Sequence, residues 1–231
     1  MAPVPQRKDA EVLLESGSAY GYGLKRKKSM RSYVMVKRAI DIICAFIGII
    51  LLSPLFIVVA LIIKLEDPKG SIFFHQIRVG KNEKLFKMYK FRSMVSNAEE
   101  LLGDLLEQNE ISGAMFKMKE DPRITKIGKF IRKTSIDELP QLWNVVRGDM
   151  SLVGPRPPLP REVAEYTNYD KLRLKVTPGC TGLWQVSGRN ELSFSEMVEL
   201  DLIYIEHRSI MYDLKIILKT VKVLLGSKDA F

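Results

Sequence analysis

The segment Ile42-Ile-Cys-Ala-Phe-Ile-Gly-Ile-Ile-Leu-Leu-Ser-Pro-Leu-Phe-Ile-Val-Val-Ala-Leu-Ile-Ile63 contains no charged side chain and decides how the chain is organised. Asp41 precedes it and Lys64 follows it. At about 1.5 Å of rise per residue, a straight helix of this length would just cross a hydrocarbon core of about 30 Å. The pattern predicts a membrane helix, with the rest of the chain folding outside the hydrocarbon.

Two features bear on whether this segment crosses the membrane. Ser53-Pro54 lies at its centre, where proline removes a backbone hydrogen bond and tends to kink a helix. Both flanks are basic, and loops rich in Lys and Arg tend to stay on the cytoplasmic side of a membrane. The flanking cations are Lys25, Arg26, Lys27, Lys28, Arg31, Lys37 and Arg38 before the segment and Lys64, Lys69, Arg78, Lys81, Lys84, Lys87, Lys90 and Arg92 after it. A hairpin within one leaflet satisfies both flanks; a kinked spanning helix is the alternative, since membrane helices tolerate proline.

Composition limits the classes of function. The chain of 231 residues, 46% of them hydrophobic, suits one medium domain plus an anchor. Its formal net charge of +9 favours an anionic partner, which composition leaves open between a nucleic acid, a phospholipid surface and a phosphorylated substrate. Cys44 and Cys180 lie far apart and indicate no disulfide framework, so a reducing location fits. His75 and His207 have no partner at metal-ligand spacing, which argues against a zinc site.

The chain is predicted to divide into three parts. Residues 1–32 form a disordered basic tail, 33–66 the membrane segment, and 67–231 a domain outside the hydrocarbon. In that domain, the stretches 71–79 and 85–91 alternate in hydrophobicity and predict a β-hairpin. The stretch 196–225 combines an apolar face with lysines, which is typical of a helix in the membrane interface or of one covering a soluble core.

The segment most suggestive of chemistry is Thr134-Ser-Ile-Asp-Glu-Leu-Pro-Gln141, in which two carboxylates are adjacent. Neighbouring residues do not share a helix face, so Asp137 and Glu138 can act together only at an irregular point such as a helix start. Pro140 suits a first turn and predicts a helix over 137–146 with Asp137 at or near its N-cap. Either the pair is structural, with Asp137 as a cap or Ser135 and Glu138 as a capping box, or an ionised Asp137 acts on phosphate.

Candidate anion-binding motifs lie on both sides of this pair. They are Lys90-Phe-Arg-Ser-Met94, Asp121-Pro-Arg-Ile124, Gly154-Pro-Arg-Pro157 and Gly182-Leu-Trp-Gln-Val-Ser-Gly-Arg189. The prolines beside Arg156 stiffen the backbone and pre-position its guanidinium for two-point phosphate binding. Arg92 and Arg123, taken singly, are typical of solvated side chains.

Taken in order, the motifs resemble those of the bacterial sugar transferase family, the monotopic polyprenyl-phosphate phosphoglycosyl transferases that begin capsule, exopolysaccharide and glycoprotein glycan assembly. The resemblance covers the chain from about residue 33 onward. Each motif is weak alone, but the probability that all of them occur in this order by chance is very small. The motifs are Lys37-Arg-x-x-Asp41, Ser53-Pro54, Lys90-Phe-Arg-Ser-Met94, Asp121-Pro-Arg-Ile-Thr125, Asp137-Glu-Leu-Pro-Gln-Leu142, Gly148-Asp-Met-Ser-Leu-Val-Gly-Pro-Arg-Pro157 and Pro178-Gly-x-Thr-Gly-Leu-Trp-Gln-Val-Ser-Gly-Arg-Asn190.

The resemblance implies that sugar-1-phosphate passes from a UDP-sugar to undecaprenyl phosphate, with release of UMP. The expected course is ping-pong, with Asp137 as the nucleophile and Glu138 assisting it at a magnesium (Mg²⁺) site formed by both carboxylates. Arg156 is expected to hold the nucleotide diphosphate. Further substrate contacts are expected from Lys90, Arg92, Gln185 and Arg189.

The resemblance also implies an α+β monotopic membrane protein in which Ser53-Pro54 breaks a re-entrant helix. A small, mainly helical catalytic domain with a short β-hairpin then faces the cytoplasm at the bacterial inner membrane, with interfacial amphipathic helices near the C-terminus. The chain resembles the short form of the family, without a multi-span N-terminal domain. No nucleic acid is expected as a partner, whereas a homodimer and downstream glycosyltransferases are compatible with the resemblance.

Overall fold

The structure is a computed structural model that describes residues 22–98, 100–101, 103, 118, 121–188 and 192–226, with side chains described between Met30 and Val223 within these ranges. Residues 1–21 of the predicted tail lie outside the described residues, as does Arg189. The first helix begins at Tyr22, inside the predicted tail. Helices and short strands occur together, which confirms the mixed α+β class.

The described elements follow one another along the chain. They are α1 (Tyr22–Glu66), β1 (Phe73–Val79), β2 (Leu85–Phe91), α2 (Lys126–Lys133), α3 (Gln141–Arg147), β3 (Ser151–Val153), α4 (Pro160–Ala164), β4 (Gly179–Thr181), α5 (Phe194–His207) and α6 (Ile210–Gly226). Short 3₁₀ turns cover Lys81–Glu83, Ile136–Glu138, Asp170–Lys175 and Trp184–Val186. Strands β1 and β2 pair antiparallel, whereas β3 and β4 pair in parallel.

The hairpin β1–β2 confirms the strands predicted from the alternating pattern. Its register pairs Phe73 with Phe91 and Arg78 with Phe86. Directly opposed residues of an antiparallel pair lie on the same face, and residues two apart return to that face. Arg78 and Lys90 therefore share one face of the hairpin, and this face carries part of the candidate site described below.

Helix α1 contains the long apolar segment, and Met30–Glu66 is the one stretch among the described residues that is long and apolar enough to cross a membrane. The helix continues through Pro54, whereas the sequence predicted a break there. Pro54 has no N–H to offer the carbonyl of Ile50 one turn earlier. The Ser53 hydroxyl donates to that carbonyl instead, at 2.8 Å. Such a bond is important in hydrocarbon, because no water is present there to form a hydrogen bond with an unpaired backbone carbonyl.

The two faces of α1 have different surroundings. Ala45, Val59 and Ile63 are buried against the rest of the protein, Ala45 beside Val145 and the other two beside Phe91. The opposite face is apolar but exposed, and its residues are Ile42, Ile43, Phe46, Ile47, Ile50, Leu51, Ile57, Val58, Leu61, Ile62 and Leu65. An exposed apolar surface of this extent marks contact with lipid or with another protein.

Both ends of the apolar segment are bonded to the domain that follows. The buried Asp41 accepts hydrogen bonds from the Ser151 hydroxyl at 2.8 Å and from the Leu152 N–H at 3.2 Å, both in β3. At the other end, Glu66 accepts from the two backbone N–H groups that open α2, at 2.7 and 3.1 Å. The segment is therefore held along the domain at both of its ends.

A buried carboxylate joins the start of α1 to the C-terminal helices. Asp213 of α6 accepts hydrogen bonds from Tyr33 at 2.8 Å, Lys37 at 2.9 Å and Tyr204 at 2.8 Å. The sequence pattern gave no break within 196–225, but α5 and α6 are separate helices with Arg208 between them. This junction places Tyr204 and Asp213 side by side.

The exposed side of α6 carries two neighbouring stripes. The apolar residues Met211, Leu214, Leu218 and Val221 recur at helical spacing and are exposed, and Lys215, Lys219 and Lys222 lie next to them. This arrangement is typical of a helix at a membrane interface.

Candidate active site

The two adjacent carboxylates lie in the 3₁₀ turn Ile136–Glu138, between α2 and α3. Ser135 opens the turn in the left-handed region, at φ 55°, which is uncommon for residues other than glycine. The predicted capping roles are wrong: Pro140 is the N-cap of α3, and the Ser135 side chain makes no cap hydrogen bond. Since Glu138 and Leu139 donate their N–H groups back to Ser135 and Ile136, the chain closes a tight turn before the helix begins.

This turn directs both carboxylates at one lysine. The Nζ of Lys90 in β2 lies 2.7 Å from Glu138 Oε1 and 4.0 Å from Asp137 Oδ2. Asp137 is buried and Glu138 half-buried. The pair that cannot share a regular helix face is thus brought together by a 3₁₀ turn and a strand residue, as the sequence argument requires.

The surroundings shift the pKa values of the two carboxylates in opposite directions. Burial raises the pKa of Asp137 to about 6, against the opposing effect of Lys90. Burial also acts to raise the pKa of Glu138, but the charges of Lys90 and Arg156 outweigh it and hold that pKa below its usual value. Two neighbouring acids with separated pKa values are a common arrangement where one carboxylate reacts and the other stays charged.

A cationic cavity adjoins Glu138. It is lined by Arg78, Arg156, Gln141, Gln185 and Cys180, among others. Arg156 projects from the chain as an exposed residue between two buried prolines, and Arg78 is buried and donates to the Pro157 carbonyl at 3.0 Å. Burial and the nearby Arg156 lower the pKa of Arg78 to about 10, so it stays charged at neutral pH.

The loop that carries Arg156 is positioned by a close approach of two backbones. A Cβ on Gly154 would lie 2.6 Å from the Thr177 carbonyl oxygen, and a Cβ on Gly179 would lie 2.1 Å from the Gly154 nitrogen. Only glycine fits at such distances. The glycines of these two motifs therefore let the parallel pair β3–β4 form and hold Arg156 beside Glu138.

The structure does not bring every predicted residue to this site. Lys90, Asp137 and Glu138 meet, and Arg156 and Gln185 line the adjoining cavity. Arg92 instead lies 3.3 Å from Asp67 and donates to the Asp67 carbonyl, next to the end of α1. The positions 189–191, which include Arg189, are outside the described residues.

Sequence reasoning missed three residues of the site. Arg78 was counted only among the basic flanks, although the hairpin register places it on the same face as Lys90. Arg132 near the end of α2 acts electrostatically on Asp137, and Gln141 is a buried residue of the cavity wall. Register was the one signal that could have identified Arg78, because alternation alone does not say which strand positions oppose each other.

These features define a membrane-associated protein with an acidic pair beside a cationic cavity, a donor set suited to phosphate chemistry. Residues 32–227 match the family described as bacterial sugar transferase, and the chain belongs to that family. The resemblance found in the motifs is thereby confirmed.

Three relatives show what the chain is similar to. It is 50% identical over 212 residues to the "Galactosyl transferase CpsE" of Streptococcus agalactiae, covering 91% of this chain and 46% of that protein. It is 45% identical over 212 residues to the "Undecaprenyl-phosphate galactose phosphotransferase" of Salmonella typhimurium, covering 90% of this chain and 44% of that protein. The "Exopolysaccharide production protein ExoY" of Sinorhizobium fredii is 40% identical over 199 residues, covering 84% of this chain and 88% of that protein. The chain thus spans about half the length of the first two relatives.

We predict that Asp137→Asn stabilises the fold at pH 8 and not at pH 4. The raised pKa of Asp137 means that its contribution to folding is favourable while it is protonated and is lost as pH rises from about 3.8 through about 6. Removing the charge should therefore raise the free energy of unfolding above pH 6, by up to about 3 kcal/mol. Denaturant unfolding in detergent at both pH values measures the difference.

The matched control is Asp121→Asn. Hydrogen bonds from Arg123 lower the pKa of Asp121, so its ionised form stabilises the fold and the same substitution should destabilise the protein at pH 8. A loss of stability in both variants at pH 8 would contradict burial as the source of the Asp137 shift.

Proposed function

We propose that the protein is a phosphoglycosyl transferase that moves sugar-1-phosphate from a UDP-sugar to undecaprenyl phosphate and releases UMP. The main observation behind this proposal is that Asp137 and Glu138 both lie within 4.0 Å of the Lys90 ammonium group, at the edge of a cationic cavity. The name of the Salmonella relative, an undecaprenyl-phosphate galactose phosphotransferase, supports it. So does the name of an Aeromonas hydrophila relative, a UDP-N-acetylgalactosamine-undecaprenyl-phosphate N-acetylgalactosaminephosphotransferase.

In the first step, a carboxylate oxygen of Asp137 attacks the phosphorus that bears the sugar. The bond from that phosphorus to the bridging oxygen breaks, and UMP leaves with the bonding electron pair. With a pKa of about 6, Asp137 is ionised roughly ten to one at pH 7 yet more basic than an ordinary aspartate. Arg156 and Arg78 lie where they counter the negative charge of the diphosphate.

In the second step, a phosphate oxygen of the acceptor lipid attacks the same phosphorus. The bond to Asp137 breaks, which restores the carboxylate and forms a diphosphate-linked lipid sugar. Because UMP has already left, the two anionic substrates do not have to be bound beside the cationic cavity at the same time. Lys90 stays bonded to Glu138 and lies 4.0 Å from Asp137, close enough to favour the ionised form that each cycle regenerates.

The site residues fit a magnesium ion held jointly with the substrate. Among the described residues there is no cluster of three or more potential ligands, but Mg²⁺ is commonly bound through one or two carboxylates plus substrate phosphates. Glu138 and Asp137 would supply the carboxylates, and a bound ion would offset the charge of the diphosphate.

We further propose that α1 enters and leaves the same leaflet, so that the domain lies on the cytoplasmic face of the inner membrane. A spanning helix would carry its two ends to opposite sides, whereas Asp41 and Glu66 are bonded to one domain. The exposed apolar face of α1 and the basic flanks support the same orientation. The Ser53 hydroxyl bond to Ile50 allows a bend at Pro54 without an unpaired carbonyl.

We predict that Asp137→Asn abolishes release of UMP from a UDP-sugar when no acceptor is present. The amide lacks the nucleophilic oxygen charge, so the rate should fall at least about 1000-fold. A panel of UDP-sugars in detergent, with UMP and UDP separated by chromatography, measures the rate and identifies the donor. Asp170→Asn, which changes a carboxylate in the loop beside Thr167, should stay within about twofold of the wild type. Formation of UDP instead of UMP would contradict the proposed reaction.

The topology has its own test. Single cysteines at Ser32 and Ser71, both exposed and on opposite sides of the apolar segment, are introduced into a protein that lacks Cys44 and Cys180. A membrane-impermeant maleimide added to intact cells should label neither position, and both should react after lysis. Labelling of one position alone in intact cells would show that the helix spans the membrane.

A further inference from the structure

A groove extends from the candidate site along the inner side of α6. Its polar wall includes Glu138 and Gln185, which also line the cationic cavity. Its apolar wall is formed by Leu142 of α3, Leu152 and, from α6, Ile217 and Val221. The groove and the cavity therefore share a boundary at Glu138, so a ligand with its apolar tail in the groove has its charged head beside the arginines of the cavity.

The apolar wall packs on α1 at one side and reaches the exposed stripe of α6 at the other. Leu142 Cδ1 lies 3.3 Å from where a Cβ on Gly48 would stand, so this wall rests on the middle of the apolar segment of α1. Val221 lies at the other side and belongs to the exposed stripe of α6, with 48% of its surface accessible. The groove thus lies between α3, which packs on α1, and the exposed apolar stripe of α6.

We infer that this groove binds the first isoprene units of the acceptor lipid, an inference that rests on the proposed function. The groove also carries Thr181 and Thr220, but Leu142, Leu152 and Ile217 offer no hydrogen-bond partner to the hydroxyl groups of a UDP-sugar, and polar groups buried against them are costly. A polyprenyl phosphate carries its hydrocarbon directly on the phosphate. With the phosphate near Glu138 and its counter-charges, the chain leaves along the groove and passes Val221 into the membrane.

This placement explains a selectivity that the charges alone do not supply. The arginines of the cavity recognise any phosphate, whereas the groove recognises what the phosphate is attached to. The acceptor is then distinguished from water-soluble phosphates by its first isoprene units, and from bilayer phospholipids by the absence of a glycerol between phosphate and chain. Val221, Ile217 and Leu142 are specificity-determining residues in this account.

Two substitutions on one exposed helix face test the groove. Val221→Trp narrows it, and Leu218→Trp places the same bulk on the neighbouring outward position, which does not line it. Val221→Trp should lower kcat/KM for undecaprenyl phosphate and for a short-chain polyprenyl phosphate about tenfold, mainly through KM. Exchange of labelled UMP into the UDP-sugar without acceptor should stay within about twofold, and Leu218→Trp should stay within about twofold in both assays.

A third variant and a change of medium separate the remaining explanations. Val221→Gln keeps a similar size but adds a polar group, and should raise the acceptor KM about threefold or more. The assays are run in detergent without phospholipid, so an effect that disappears there would show that the groove holds bilayer lipid. Equal effects of Val221→Trp and Leu218→Trp, no effect of either, or equal loss of exchange and transfer would each overturn the inference.

A different result would contradict the proposed function rather than the groove. If the wild type transfers sugar phosphate but shows no UMP exchange, the covalent route is wrong, while the acceptor KM values of the three variants still decide whether the groove binds the lipid.

Discussion

The bonds that attach both ends of the apolar segment to one domain determine where everything else lies. Asp41 is bonded to β3, which leads directly into the loop that carries Arg156. Glu66 is bonded to the start of α2, which ends just before the turn that contains Asp137. The two attachments therefore bring Arg156 and the candidate nucleophile together, beside the helix with the exposed apolar face. The proposed lipid acceptor would meet a site fixed to that helix.

Within that frame, the site depends on an uneven distribution of charge. Asp137 is buried and Glu138 is only half-buried, and Lys90 is shared between them. Burial raises the pKa of the inner carboxylate, and the nearby cations lower the pKa of the outer one. Keeping an anion in the buried position costs stability, which is a common consequence of building a reactive group into a fold. In the proposed reaction, Asp137 would be the basic carboxylate that attacks, and Glu138 would be the charged neighbour beside the diphosphate.

The sequence predicted the hairpin β1–β2 and the mixed fold class, and its motifs identified the family, because hydrophobic alternation and motif order are local properties. It did not predict the parallel pair β3–β4, whose strands join distant parts of the chain through Gly154 and Gly179. It placed Asp137 at or near the N-cap of a helix over 137–146, whereas the 3₁₀ turn precedes that helix and Pro140 is its N-cap. Arg78 and Arg132 were missed because their relation to Asp137 and Glu138 exists only after strands and helices have packed. Ser53 is informative in retrospect, since a hydroxyl next to a membrane proline can replace the bond that the proline removes.

The central claim is that Asp137 carries the phosphosugar between donor and acceptor, at the membrane surface. The most direct measurement is mass spectrometry of the protein after incubation with its UDP-sugar in the absence of acceptor, followed by peptide mapping under acidic conditions that preserve acyl phosphates. We expect a mass increase of one sugar phosphate, confined to the peptide that contains Asp137 and lost when polyprenyl phosphate is added. An adduct on any other residue, or turnover to the lipid product with no adduct at any time, would contradict it.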